Sequence, residues 1–138
     1  MNSSAEVVEI RAHRDRKIPP GALRKLFDHV GWDRPAEDEG VAAVLEAGPA
    51  VGAWRGEDLV GFARALSDGC FAAYVEDVMV HREWRGRGIG ERVLSLLLVE
   101  VGDVANVSLF CEPPVVGFYE AGGFRRTSYV LMRRAKQR

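Results

Sequence analysis

Six residues in the middle of the chain, Arg85-Gly86-Arg87-Gly88-Ile89-Gly90, combine three glycines with two arginines. They follow an apolar run and precede a helical pattern, so they are predicted to form a strand-to-helix turn. The first N–H groups of a helix lack partners within it, and the helix dipole adds partial positive charge there. Glycine permits unusual dihedral angles and close approach of a ligand. The segment therefore predicts an anion cradle suited to a phosphate or pyrophosphate, with Arg82 and Arg92 adding attraction.

Two common phosphate-binding motifs fit this segment poorly. A Walker A loop needs a Lys-Ser/Thr pair, which "RGRGIGER" lacks. A dinucleotide fingerprint needs GxGxxG after the first strand and an acid about 20 residues later, whereas this GxGxG lies in mid-chain. A glycine-rich turn without a ligand is the structural alternative.

Glu76 and Asp77 are adjacent carboxylates in the otherwise apolar run "YVEDVMV". Side chains alternate along a strand, so we expect the two acids on opposite faces, with only one in any cleft. A carboxylate in such a cleft can act as a general base. The alternative is that both acids pair with arginines or belong to a bulge.

The elements that must position these residues follow from hydrophobic periodicity and from glycine and proline punctuation. The predicted order is β-α-α-β-β-β-α-β-α-β-β. This is an α/β (mixed α+β) fold with a single mixed, mainly antiparallel sheet of six to seven strands and helices on both faces. Residues 72–112 are predicted to form a right-handed parallel crossover. Strands are expected within 5–11, 49–56, 58–69, 70–83, 106–112 and 124–134, and helices within 21–30, 36–48, 90–102 and 113–123.

The chain has 138 residues, enough for one domain spanning 1–138, with 47% apolar residues and a net charge of −1. This charge predicts no general attraction to nucleic acid or membrane. No apolar run approaches the roughly 20 residues of a membrane span, and the N-terminal residues lack a signal core, so a cytoplasmic protein is expected. Cys70 and Cys111 are expected as buried reduced thiols, and no Cys/His spacing predicts a metal site.

With these residues in place, the chain resembles the Gcn5-related N-acetyltransferase (GNAT) superfamily. Its signature, Arg/Gln-x-x-Gly-x-Gly/Ala, is matched by residues 85–90. The preceding "VEDVMVHREW", the helix that follows, and "LFCEPPVVGFYEAGGF" with its Phe118-Tyr119 pair also look like this family. The resemblance covers about residues 52–124 and is weak over 1–48. It implies a single N-acetyltransferase domain with acetyl-CoA as co-substrate and no metal.

The resemblance also implies roles for particular residues. The pantetheine arm would pair with the exposed edge of the strand at Val78, Met79 and Val80, and the backbone N–H near Val80 would stabilise the oxyanion. Tyr119 would be the general acid for the CoA thiolate, although its spacing alone suits a core aromatic of an amphipathic helix. Glu76 would be the base, directly or through water, with His81 as a rival expected on a solvent-facing loop. The pyrophosphate would lie on the amides of Arg85, Gly86, Arg87, Gly88, Ile89 and Gly90.

The acceptor implied by the resemblance is a primary amine, either a small molecule or a protein lysine. The stretch Gly61–Asp68, "GFARALSD", is similar to small bacterial members and to chloroplast and cyanobacterial arylalkylamine/lysine acetyltransferases, which favours an aromatic amine or lysine. Trp32 lies in the region that covers the acceptor in this family and would stack on a ring or cation, or else pack the helices together. The acidic helix 37–46 would attract a cation or form a solvated face, and His13 and His29 are expected at the surface.

Two other functional classes remain at this point. One is a non-catalytic acyl-CoA-binding regulatory module on the same fold. The other is nucleic-acid binding through the arginine-rich segments, which the near-neutral charge disfavours. The resemblance also allows a homodimer through "TSYVLMRR", and the sequence does not decide between a dimer and a monomer.

Overall fold

The computed structural model describes residues 7–32 and 37–136. Within these ranges, five strands form one sheet in the order β1-β2-β3-β4-β5, in which β1 to β4 are antiparallel and β5 runs parallel to β4. The elements are β1 Glu9–Ala12, α1 Pro20–Val30, α2 Asp38–Glu46, β2 Ala50–Arg55, β3 Asp58–Ser67, β4 Ala72–Val80, α3 Ile89–Val101, β5 Asn106–Ser108 and α4 Val116–Ala121.

Helices cover both faces of the sheet, as predicted. On one face α3 buries an apolar stripe at helical spacing against strand residues such as Val51 and Ala53. On the other face α1 and α2 cover a second cluster that includes Phe62 and Met79. The sheet is therefore buried on both sides around its centre, and this fixes the positions of the β3 and β4 side chains that approach the candidate site.

Local signals set the ends of α1 as the sequence suggests. Pro19 and Pro20 stand at its start, where the missing N–H groups cost nothing because the first turn has no acceptors for them. Gly31 ends it in the left-handed region at φ 79°, and its N–H donates to the carbonyls of Phe27 and Asp28. This termination delivers Trp32 next to the sheet.

The predicted strand count was too high. β5 spans three residues rather than 106–112, and no residue between 124 and 136 is in a strand. Apolar side chains in this segment stay exposed, with Tyr129 at 89% and Met132 at 87%. Alternation in a sequence can describe a strand but cannot supply the neighbouring strand to which it must bond. The beginning of the predicted first strand, residues 5 and 6, lies outside the described residues.

Within the described residues, no helix is both long and apolar enough to cross a membrane.

Candidate functional site

A cleft of about 970 Å³ opens where β4 and β5 diverge. The two strands pair only from Ala72↔Asn106 to Tyr74↔Ser108, so the remainder of β4 has no neighbouring strand on that side within the described part of the chain. Its walls are the second half of β4, the glycine segment 85–90, and the stretch from Phe110 to Tyr119. Unpaired backbone along β4 can bond an extended ligand that enters the cleft.

The glycine segment has the geometry of an anion cradle. Gly86 and Gly88 have φ angles of 76° and 78°, and Gly88 is the N-cap of the 13-residue helix α3. No atom of the described residues lies within 4 Å of a Cβ built on either glycine, so open space faces both. A side chain at these positions would be strained and would project into that space. Gly90 is used differently, since its Cβ would lie 3.3 Å from the ring of Phe118.

The arginines around this segment divide into two groups. Arg85 Nε donates to the carbonyl oxygen of Val80 at 3.0 Å, and Arg92 donates to Val8, so both brace the backbone. The guanidinium carbons of Arg87 and Arg55 lie 4.4 and 5.1 Å from the ring centroid of Trp84, which lines the cleft. A stacked guanidinium keeps the N–H groups of its edge available to anions. Positive charge is thus fixed beside the cradle.

The β4 wall contains the predicted cofactor-binding residues. Val78 and Val80 are half-buried, Met79 is buried, and all three line the cleft. Asp77 has a φ of 56°, and it is the only non-glycine residue with positive φ among those described. β4 has one residue more than β3 between the pairs Phe62↔Met79 and Arg64↔Glu76, so the strand bulges here.

The bulge corrects the expectation that Glu76 and Asp77 face opposite ways. Both line the cleft, and both approach Arg64. Arg64 Nε lies 2.7 Å from Asp77 Oδ2, and Arg64 Nη2 lies 3.9 Å from Glu76 Oε2. Strict alternation fails because the extra residue rotates the chain. The alternative that these acids pair with an arginine at a bulge is confirmed.

Tyr119 lies on α4 and reaches the same cleft. Its ring packs edge-to-face with Phe118 at 4.9 Å and Phe124 at 6.0 Å between centroids. Burial, with a smaller contribution from Cys111, raises the pKa of Tyr119 to about 12. The phenol is therefore protonated at neutral pH and available as a hydrogen-bond donor.

The cysteines differ from their predicted environment. Cys70 is exposed and Cys111 is half-buried, and both are free thiols. Cys70 follows β3 at a turn in which Asp68 caps three backbone N–H groups, so it lies at the surface despite its apolar neighbours. Cys111 lines the cleft, because the chain leaves the sheet after Ser108 instead of continuing as a buried strand.

Trp32 lines the cleft and is 40% exposed. Its ring also contacts Phe27 of α1 at 6.4 Å between centroids, so it both packs the helix and faces the cavity. The acids of α2 are partly engaged, since Asp38 pairs with Arg24 at 2.6 Å.

The histidines are less exposed than the sequence suggested. His13 is 8% exposed, and its Nδ1 accepts the N–H of Ile18, so the surface prediction was wrong. His81 is not a free loop residue, because it stacks on His29 with ring centroids 3.6 Å apart. The backbone N–H of Arg82 donates to His29 Nε2. Neither ring is among the residues lining the cleft, so His81 is a weaker candidate base than Glu76.

Sequence reasoning missed several residues of the site, including Trp84 and Arg55 beside the glycine segment. Arg64 joins the site through a cross-strand contact, and Cys111 and Phe110 join it because β5 ends early. For Arg64, the sequence offered one signal, an arginine on the strand that precedes the acids of β4.

Comparison with known proteins agrees with this geometry. The model of the Acetyltransferase (GNAT) family matches residues 13–124. The uncharacterized N-acetyltransferase ycf52 of Pyropia yezoensis is 32% identical over 86% of this chain and 72% of its own length. The chloroplastic serotonin N-acetyltransferase 2 of Oryza sativa is 37% identical over 75% of this chain, which spans 55% of that protein.

A crystal structure of a protein from Deinococcus radiodurans superposes with a TM-score of 0.78 and 31% identity, covering 97% of this chain and 92% of that one. The family match extends from the end of β1 through the glycine segment to Phe124, and so includes every wall of the cleft. The chain therefore belongs to the Acetyltransferase (GNAT) family and is an N-acyltransferase enzyme.

Proposed function

We propose that this enzyme transfers the acetyl group of acetyl-CoA to a primary amine by direct attack, with both substrates bound together. One observation carries the proposal: a single cleft joins the left-handed glycines before α3, the unpaired edge of β4 and the phenol of Tyr119. These supply the anion donors, the extended backbone and the proton-bearing group that a CoA thioester requires.

The glycine segment is suited to the pyrophosphate of CoA. The open space above Gly86 and Gly88 leaves room for phosphate oxygens against backbone N–H groups. Trp84 with Arg55 and Arg87 lies beside this segment and supplies an aromatic face and two guanidinium groups for the adenosine 3′-phosphate. Weaker binding of the dephospho form of acetyl-CoA would support this assignment.

The proposed chemistry uses groups already facing the cleft. The neutral amine nitrogen attacks the thioester carbonyl carbon, a C–N bond forms, and the C–S bond breaks. The carboxylate of Glu76 takes the proton that the amine loses, directly or through water. The backbone N–H near Val80 stabilises the oxyanion, and the hydroxyl of Tyr119 donates a hydrogen bond to the leaving sulfur.

The raised pKa of Tyr119 refines its role. A phenol with a pKa of about 12 is a weaker acid than a thiol, whose pKa is about 8.5. Complete transfer of the phenolic proton to the thiolate is therefore uphill. Tyr119 is proposed to stabilise the leaving sulfur mainly by hydrogen bonding, while the proton shed by the amine ultimately neutralises it.

An aromatic amine or a lysine is the favoured acceptor. The exposed part of Trp32 and Phe110, which is 44% exposed, both face the cleft and can stack on a ring or cover a cation. Glu76, whose side chain is 21% exposed, places a carboxylate between these walls. The similarity to a protein named as a serotonin N-acetyltransferase supports the aromatic choice.

The test combines binding with turnover. Calorimetry with acetyl-CoA and desulfo-CoA measures the cradle, and a thiol-release assay with tryptamine-like amines, polyamines and lysine peptides measures transfer. We expect acetyl-CoA binding and amine-dependent thiol release. Binding without release for every amine would favour the non-catalytic regulatory module, and absence of binding would refute the proposal.

A homodimer stays a prediction. The exposed apolar run from Tyr129 to Met132 supports it, because such runs commonly mark an interface. Light scattering of the purified protein, alone and with Tyr129→Lys, tests it: a monomeric wild type would exclude the dimer.

A further inference from the structure

Arg64 of β3 lies beside the bulge of β4 and contacts both of its acids. Asp77 adopts a left-handed conformation that is sterically disfavoured for any residue with a side chain. Such conformations persist where surrounding contacts over-determine them, and they concentrate at functional sites. One such contact is with Arg64, whose Nε donates to Asp77 Oδ2 at 2.7 Å.

This ion pair is shielded from water. The side chain of Asp77 is 2% exposed, that of Arg64 is 14% exposed, and that of Glu76 is 21% exposed. One guanidinium therefore approaches two neighbouring carboxylates. Its planar fork of donors can contact two carboxylates at once, which a lysine ammonium, as a compact point charge, does less well.

The bulge changes which residues of β4 face each side of the sheet. Before it, Ala73 and Val75 belong to the cluster beneath α3. After it, Val78 and Val80 contact that cluster, and Met79 joins the cluster beneath α1. This change of side occurs at Glu76 and Asp77, and it brings both acids to the cleft. Arg64 is not among the residues that line the cleft.

We propose that Arg64 is a positioning residue. By holding the bulge at Asp77 and the carboxylate of Glu76, it fixes the position of Glu76, the base of the transfer reaction, without touching either substrate. This inference rests on the proposed function. It assigns to β3, through "GFARALSD", a part in catalysis that the cleft lining alone does not reveal.

Removing the guanidinium takes one ionic contact from the buried carboxylate of Asp77 and one from Glu76. The glycine segment, which is proposed to hold the pyrophosphate, is separate from this pair. For Arg64→Gln we therefore expect kcat to fall at least tenfold while the Kd of acetyl-CoA changes less than threefold. Arg64→Lys keeps the positive charge but lacks the planar set of N–H donors of the guanidinium, so its kcat should lie between those of wild type and Arg64→Gln.

The double variant Arg64→Gln with Asp77→Asn separates positioning from stability. Asparagine tolerates the left-handed region and removes the buried charge that has lost its contact with Arg64, so the double variant should regain thermal stability relative to Arg64→Gln alone. We expect its kcat to stay low, because Glu76 still lacks the guanidinium. Arg14→Gln, which breaks a surface pair with Glu100, is the control for loss of an arginine.

The outcomes are distinct. A kcat within twofold of wild type for Arg64→Gln, or a double variant that regains kcat together with stability, would overturn the positioning role. The positioning role would also be overturned if kcat and the affinity for acetyl-CoA fell in equal proportion in Arg64→Gln. If Arg64→Gln does not fold, the lysine and double variants decide the question. A wild type that binds no acetyl-CoA would instead refute the proposed function itself.

Discussion

Gly88→Asp is the most direct perturbation of the proposed cradle. Gly88 has a φ of 78° and caps α3, and a Cβ there meets nothing within 4 Å. The aspartate side chain would thus enter the open space assigned to the pyrophosphate without clashing with the protein. Gly88→Asn has nearly the same size and the same tolerance of positive φ, so it isolates the effect of the charge.

The expected size follows from two contributions. A side chain in the left-handed region costs about 1 kcal/mol, which lowers the Tm by about 3 °C in a domain of this size. Two like charges 4 Å apart repel by about 4 kcal/mol at an effective dielectric constant of 20. The open cleft lets water and salt reduce this to about 2 kcal/mol, so aspartate should bind acetyl-CoA about 30-fold more weakly than asparagine does.

Calorimetry with acetyl-CoA at low and moderate salt measures this difference, which should shrink as salt is added. Gly69→Asp is the matched control, because Gly69 has a φ of 77° and equally open surroundings in the turn before β4. It should lower the Tm similarly and leave affinity unchanged. Equal acetyl-CoA affinities for the aspartate variants at 88 and 69 would show that the glycine segment binds no anion.

Three further outcomes are expected. Tyr119→Phe should lower kcat about 10- to 100-fold and leave the Kd of acetyl-CoA nearly unchanged, because a hydrogen bond to the leaving sulfur acts only during transfer; unchanged turnover would remove Tyr119 from the mechanism. Alkylation of Cys111 in the Cys70→Ser variant should block activity, and acetyl-CoA should protect against it because Cys111 lines the cleft; full activity after complete labelling would contradict this placement. Desolvation and the neighbouring His81 lower the pKa of His29, so the unfolded chain binds more protons and stability should fall as pH drops below about 6.5. The Tm loss between pH 7.5 and 5.5 should be smaller in His29→Gln, and an equal loss would exclude this contribution.

Much of the site was predictable because its signals are local. The spacing of Gly86, Gly88 and Gly90 before an apolar helical stripe is enough to predict a strand, a tight turn and an open helix N-terminus. The prolines before α1 and the glycine after it likewise set its ends. Each inference depends on steric preferences or hydrogen bonds spanning a few residues, which the order of amino acids determines directly.

The remainder required the tertiary structure. Alternation placed Glu76 and Asp77 on opposite faces, yet a bulge beside Arg64 of β3 brings both to one cleft. The short β5 exposes Cys111 beside Tyr119, while the alternating segment after Phe124 finds no strand to join. The sequence by itself thus determined the family, the glycine-rich turn before α3 and the order of elements up to α4. Only the tertiary structure decided the partners of Asp77, the divergence of β4 from β5 and the environment of Tyr119. Each of these depends on contacts between residues that are far apart in the sequence, and no local pattern links such residues.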